Sequence, residues 1–116
     1  MSRYSRTPIW SWRAALAFGG LATALLAAGH APASTTRDVG INGFKYAPPV
    51  LTVPTGTTVR WTNQDEESHT VTSATGAFTS AGLSNEETFA ETFTRPGRYQ
   101  YFCALHPHMR ATVVVE

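Results

Sequence analysis

Sulfur is the scarcest donor in this 116-residue chain: there is one cysteine, Cys103, and one methionine, Met109, besides the initiator. A single thiol excludes an internal disulfide, although an exported chain would permit one. The chain also lacks an apolar run long enough to span a bilayer. Its most apolar stretch, Ala14 to Ala28, falls short of the ~20 residues a spanning helix needs and is broken by Gly19, Gly20 and Thr23. No two arginines are adjacent near the N-terminus, so a twin-arginine export signal is not indicated. Beyond residue 33 there is no sustained 3.6-residue apolar period and no internal repeat.

The N-terminus reads as a targeting segment. Arg3, Arg6 and Arg13 form a positive region, the alanine-rich run follows, and Ala31-Pro32-Ala33 has the small-x-small spacing of a cleavage site. The sequence therefore predicts a Sec-type signal peptide over 1–33, cleaved after Ala33, and one small domain over 34–116. No stable membrane insertion is expected after cleavage. Those 83 residues carry six basic and eight acidic side chains, a formal −2, so the basic balance of the whole chain belongs to the signal. A nucleic-acid surface is not supported. A domain this small gains from a staple, and a bound metal can act as one.

What is present beyond residue 33 reads as all-β. Short stretches alternate apolar and polar residues between Gly, Pro and Thr punctuation. Val50 to Val53 is a short strand, and Thr57 to Asn63 places Val59 and Trp61 on one face and Arg60 and Thr62 on the other. His69 to Ser73, Thr88 to Phe93, Gly97 to Phe102 and Ala111 to Val115 follow. Strands at this spacing predict an antiparallel Greek-key sandwich or barrel. Glu91 breaks the pattern, because alternation sets it on the face of Phe89 and Phe93; a bulge or an edge position would accommodate it.

The chemistry concentrates in Cys103-Ala-Leu-His106-Pro-His-Met109, which places a thiolate, an imidazole and a thioether between two strands. Two imidazoles, a thiolate and a weak axial thioether make up a blue-copper donor set. A lone cysteine is commonly inert core filler, but this one stands three residues before a histidine and six before a methionine. His106 is the better second donor than His108, because adjacent side chains in an extended segment diverge and His108 abuts Met109. Pro107 stiffens the return from His106 to Met109. Only three histidines follow residue 33, so the loop lacks nitrogen donors without His69. His69, Cys103, His106 and Met109 are the expected ligands.

These features resemble the cupredoxins, most closely the amicyanin and plastocyanin branch of small blue-copper proteins. The resemblance runs through Phe44-Lys-Tyr46-Ala-Pro, Val53-Pro-Thr-Gly56-Thr-Thr-Val59-Arg-Trp61-Thr-Asn63, His69-Thr-Val71 and Phe93 to Cys103. The Cys-x2-His-x2-Met spacing is similar to the short amicyanin loop. The resemblance implies a periplasmic one-electron carrier with one type 1 copper, serving redox partners such as a c-type cytochrome or a periplasmic dehydrogenase or oxidase. A monomer is the default for a carrier of this size.

Three departures from the family pattern bear on the site. Thr70 stands where many members have Asn; its amide is expected to reach the Cys103 sulfur and its hydroxyl to tie the ligand loops together. Leu105 replaces a proline and so restores an N–H that is expected to donate to the thiolate. His108 replaces an aromatic residue, and together with Leu105 and Pro107 it would form a docking patch around His106. An enzyme is not expected: copper oxidases and nitrite reductases relay electrons through a histidine beside the cysteine, and here that neighbour is Phe102. A copper delivery, storage or resistance protein is the competing reading, and a thiolate on a rigid strand end argues against it.

Overall fold

The computed structural model describes residues 35–116 together with Gly19 and Gly20. Apart from those two glycines, the export segment expected over 1–33 lies outside the described residues. No helix among the described residues is long and apolar enough to cross a membrane.

Eight strands are present: β1 (Thr36–Ile41), β2 (Tyr46–Ala47), β3 (Val50–Val53), β4 (Thr57–Asn63), β5 (Thr72–Ser73), β6 (Thr88–Phe93), β7 (Gly97–Phe102) and β8 (Arg110–Val115). They form two four-stranded sheets, ordered β2-β1-β4-β6 and β3-β8-β7-β5. Each sheet contains one parallel pair, β1 with β4 and β3 with β8, so the sandwich is mixed and not purely antiparallel as expected. The chain switches sheets between β2 and β3 and again between β3 and β4, which brings β4 back alongside β1 in the same direction.

Strand β4 shows why the sequence folds this way. Its burial alternates, with Val59, Trp61 and Asn63 fully inside and Arg60 outside, paired with Asp38 at 2.7 Å. The Pro54–Thr57 turn before it needs a left-handed residue, which Gly56 supplies at φ +88°. Trp61 fills the centre, with the rings of Phe89 at 5.7 Å, Phe78 at 6.0 Å and Tyr101 at 5.5 Å. Valines 39, 53, 59, 71, 113 and 115 fill the remaining space between the sheets.

Glu91 finds its explanation in an edge position without a bulge. The β4–β6 register runs one to one from Thr57↔Phe93 to Thr62↔Thr88, and β6 pairs with β4 alone, so a half-buried Glu91 carboxylate reaches solvent past the edge. The strand expected over His69–Ser73 contracts to β5. His69, Thr70 and Val71 are all buried, which a period of two forbids. Here His69 forms an isolated bridge with Leu83, and Val71 accepts the Ser80 amide at 2.8 Å.

Burial sets one pH response of this core. It pushes the Tyr101 phenol up to about 12, opposed by the Trp61 indole. That indole N–H has no acceptor in hydrogen-bonding geometry, so only its dipole acts on the phenol. Tyr46 is raised still further, by burial first and then by Cys103 and Tyr101. The unfolded chain releases these protons near the ordinary pKa of ~10 while the native state retains them. Stability is therefore complete below pH 10 and falls as pH rises toward 12, at up to about 1.4 kcal/mol per pH unit for each tyrosine. Urea midpoints of the metal-free protein between pH 8 and 12 test this, and Tyr46→Phe should reduce the slope above pH 10.

Candidate metal centre

The centre is built from two loops at one end of the sandwich, and each holds its donors by backbone. In the first loop, His69 exchanges two hydrogen bonds with Leu83, N to O at 3.1 Å and O to N at 2.7 Å. Asn63 braces the same loop: its side-chain amide donates to the carbonyls of Glu67 and Leu83, both at 2.8 Å, and its oxygen accepts the Asp65 amide at 3.0 Å. These bonds leave the fully buried imidazole little freedom.

Asp65 then sets the tautomer. Its carboxylate accepts the backbone N–H groups of Gly43 and Phe44 at 2.7 and 2.9 Å, and it lies 2.8 Å from His69 Nε2. Desolvation pushes the Asp65 carboxyl up, but the Phe44 and Gly43 amides and the His69 ring outweigh it and hold it below the usual carboxylate range. An ionised carboxylate only accepts, so in the neutral ring the proton sits on His69 Nε2 and Nδ1 has the lone pair. That lone pair belongs to the nitrogen facing Cys103, an arrangement that orients a metal ligand.

In the second loop, Cys103 follows directly on β7 and is fully buried. The chain bends over Ala104–His106 and then turns at Pro107-His108, with the Met109 amide donating to the His106 carbonyl at 2.9 Å. Proline suits the second position of such a turn because its φ is already set. The Cys103 amide donates to the Met109 carbonyl at 3.2 Å, which pins the two ends of the loop together. Met109 is 2% exposed and His106 is half-buried, while Leu105, Pro107 and His108 are exposed.

Thr70 ties its loop to the second loop and to β2 through three different groups. Its amide donates to Cys103 Sγ at 3.3 Å, its hydroxyl accepts the Ala104 amide at 2.7 Å, and its carbonyl accepts the Tyr46 hydroxyl at 2.5 Å. Leu105 takes no such part. It is 55% exposed, and among the described residues the backbone donor to the sulfur is the Thr70 amide alone. The expected second N–H···S bond, from Leu105, is absent among the described residues. Thr70→Ala should keep the bond to sulfur, which is backbone, and strand the Ala104 N–H. The expected loss is about 1 kcal/mol in urea unfolding, recovered by Thr70→Ser.

The ligand atoms of His69, Cys103 and His106 lie within 4.8 Å of one another. Both Nδ1 atoms stand 3.8 Å from the sulfur. With metal–sulfur and metal–nitrogen bonds of about 2.3 and 2.0 Å, a 120° angle spans ~3.7 Å and a tetrahedral angle ~3.5 Å. Both spacings are of the size one shared metal ion requires, and two imidazoles with a thiolate make up the blue-copper donor set. The residues present fit copper.

Two features of the centre were not read from the sequence. Asp65 opens an Asp-Glu-Glu run of the kind that solvates, and Phe44 stands in a stretch that carries the family resemblance but no assigned role. The Phe44 ring meets both imidazoles edge-on, at 5.0 Å from His69 and 5.0 Å from His106.

Residues 15–115 match the family described as a cupredoxin-like domain. Amicyanin of Paracoccus versutus is 38% identical over 96 residues, covering 78% of this chain and 72% of the relative. Amicyanin-alpha of Methylorubrum extorquens is 36% identical over 106 residues, covering 82% of this chain and 88% of the relative. Among solved structures, the Cu(I) form of a methionine-to-glutamine variant of amicyanin superposes with a TM-score of 0.67 at 35% identity, covering 70% of this chain and 82% of the other.

Proposed function

Since the chain belongs to the cupredoxin-like family, we propose that it is a one-electron carrier with a single type 1 copper held by His69 Nδ1, His106 Nδ1 and Cys103 Sγ, and weakly by Met109. The observation that supports this reading is the convergence of one thiol and two imidazoles within 4.8 Å, with both Nδ1 atoms 3.8 Å from the sulfur. When bound, copper supplies the one-electron change between Cu(II) and Cu(I).

The chain's own part is to keep the donors still. A mixed thiolate and imidazole set serves both oxidation states, so donors that do not move lower the reorganisation that accompanies transfer. His69 is fixed by Leu83 and Asp65, and Cys103 by Thr70 and Met109. His106 is the half-exposed edge through which a partner gains access. Leu105, Pro107 and His108 surround it with exposed surface for brief docking, and encounters of this kind bury less than ~1,200 Å². On this reading residues 1–33 direct Sec export, residues 34–116 work in the periplasm as a monomer, and the partners are redox proteins such as a c-type cytochrome or a dehydrogenase.

The test is the visible spectrum of residues 34–116 loaded with Cu(II), before and after ascorbate. The expected result is an intense thiolate-to-copper band that bleaches on reduction and returns on reoxidation. Bound copper with no such band would sink the carrier reading and favour copper delivery or storage.

A further inference from the structure

The turn that carries Phe44 contradicts its own local preferences. Gly43 and Phe44 occupy the two central positions of a hairpin turn closed by Asn42 and Lys45, with amide–carbonyl bonds of 3.0 and 3.2 Å in opposite directions. Both central residues are left-handed, at φ +61° and +59°. Glycine accepts that conformation freely, whereas a phenylalanine rarely adopts it. An outlier of this kind persists only where its surroundings impose it, and it points toward function.

What imposes it is Asp65. One carboxylate oxygen takes the Gly43 N–H and the other takes the Phe44 N–H, and the latter oxygen also faces His69 Nε2. The same carboxylate thus fastens the turn and a candidate ligand. The ring that the turn presents is 38% exposed and meets His69 and His106 edge-on. It also walls a groove of about 460 Å³ shared with Tyr46, His108 and Met109. His69 and His106 are not among the groove's walls, and the Phe44 ring, which meets both, is.

We propose that Phe44 is a positioning residue that closes the solvent side of the copper centre: latched by Asp65, its ring fixes both imidazoles and keeps small ligands and chelators from the metal. The inference rests on the copper-carrier reading. An apolar edge between the rings leaves His106 no free swing, and a competing anion reaching the metal from this side must first displace the ring. A flexible side chain on an unstrained turn would fill the space but would not hold it shut.

The experiment compares the parent with Phe44→Gly, Asp65→Ala and the double variant, all loaded with Cu(II). Glycine suits the turn's backbone, so Phe44→Gly removes the ring while favouring the fold. Copper withdrawal by EDTA should accelerate at least about tenfold in Phe44→Gly, and azide should perturb its spectrum at concentrations that leave the parent unchanged. Asp65→Ala should accelerate withdrawal in the parent and do so less in the Phe44→Gly background, where the bond to His69 is the only route left by which Asp65 acts on the centre. A parental EDTA rate in Phe44→Gly, or two effects that multiply in full, would overturn the proposal.

A readout without copper separates the latch from the carrier reading. In the metal-free protein, hydrogen exchange at the Gly43 and Phe44 amides should quicken about tenfold in Asp65→Ala, as expected when each loses a charge-assisted bond. Unchanged exchange overturns the latch. A parent that shows no blue band overturns the carrier reading instead, whatever the amides do.

Discussion

Cys103→Ser should bind Cu(II) without the intense blue band of the parent. The colour of such a centre comes from charge moving between thiolate and copper, and Cys103 is the only cysteine in the chain. A hydroxyl in its place stays protonated at neutral pH and binds copper poorly. The loss of affinity should exceed the roughly 10–100-fold that removal of an outer-sphere partner costs, because a donor itself is gone. Serine is nearly the same size, and the Thr70 amide can donate to its oxygen as it does to sulfur at 3.3 Å. The fold should therefore survive. Far-UV circular dichroism of the metal-free variant checks that, and a copper titration read at the band gives the main result. A Cys103→Ser protein that kept the band would remove Cys103 from the site.

Trp61→Ala should be the most destabilising single change among the core positions. The side chain is fully buried and touches the rings of Phe78, Phe89, Phe93 and Tyr101. Truncating a buried aromatic of this size costs about 3–5 kcal/mol in lost burial and residual cavity. Against a total stability of roughly 5–15 kcal/mol, that is a large share. The melting temperature of the metal-free domain should fall by roughly 12–40 °C, at ~4–8 °C per kcal/mol for a domain of this length. Trp61→Phe should cost much less, because it retains an aromatic ring and also removes a buried N–H that has no acceptor. Both variants lack the N–H, so comparing them by thermal melts isolates the ring volume that phenylalanine retains. Equal losses would mean that a retained benzene ring restores none of the packing.

The parts of this protein that the sequence reveals are those whose partners are near in the chain or whose period is regular. Val59 and Trp61 alternate cleanly with Arg60, and β4 follows. Cys103, His106 and Met109 are read from spacing alone because one tight turn brings them together. Strand β1 was missed: Thr36, Arg37 and Asp38 are exposed and Gly40 interrupts, which leaves only Val39 and Ile41 as an apolar signal. The two-residue strands β2 and β5 are too short to carry a period at all. Asp65 and Phe44 fail to announce themselves for a different reason. An Asp-Glu-Glu run looks solvated until a hairpin 21 residues earlier delivers two amides to it. Leu105 errs the other way: a leucine does regain the N–H that proline lacks, but among the described residues that N–H does not bond the sulfur.

The separation of the donors along the chain divides the centre into a local part and a part supplied by the fold. Cys103, His106 and Met109 lie within seven residues, so even an unfolded chain keeps three candidate donors close together. His69 lies 34 residues before Cys103, and the folded sheets and the Thr70 bonds are what hold it 3.8 Å from the sulfur. The unfolded polypeptide thus offers a metal a loose, local grip. The second imidazole is what the fold adds to it.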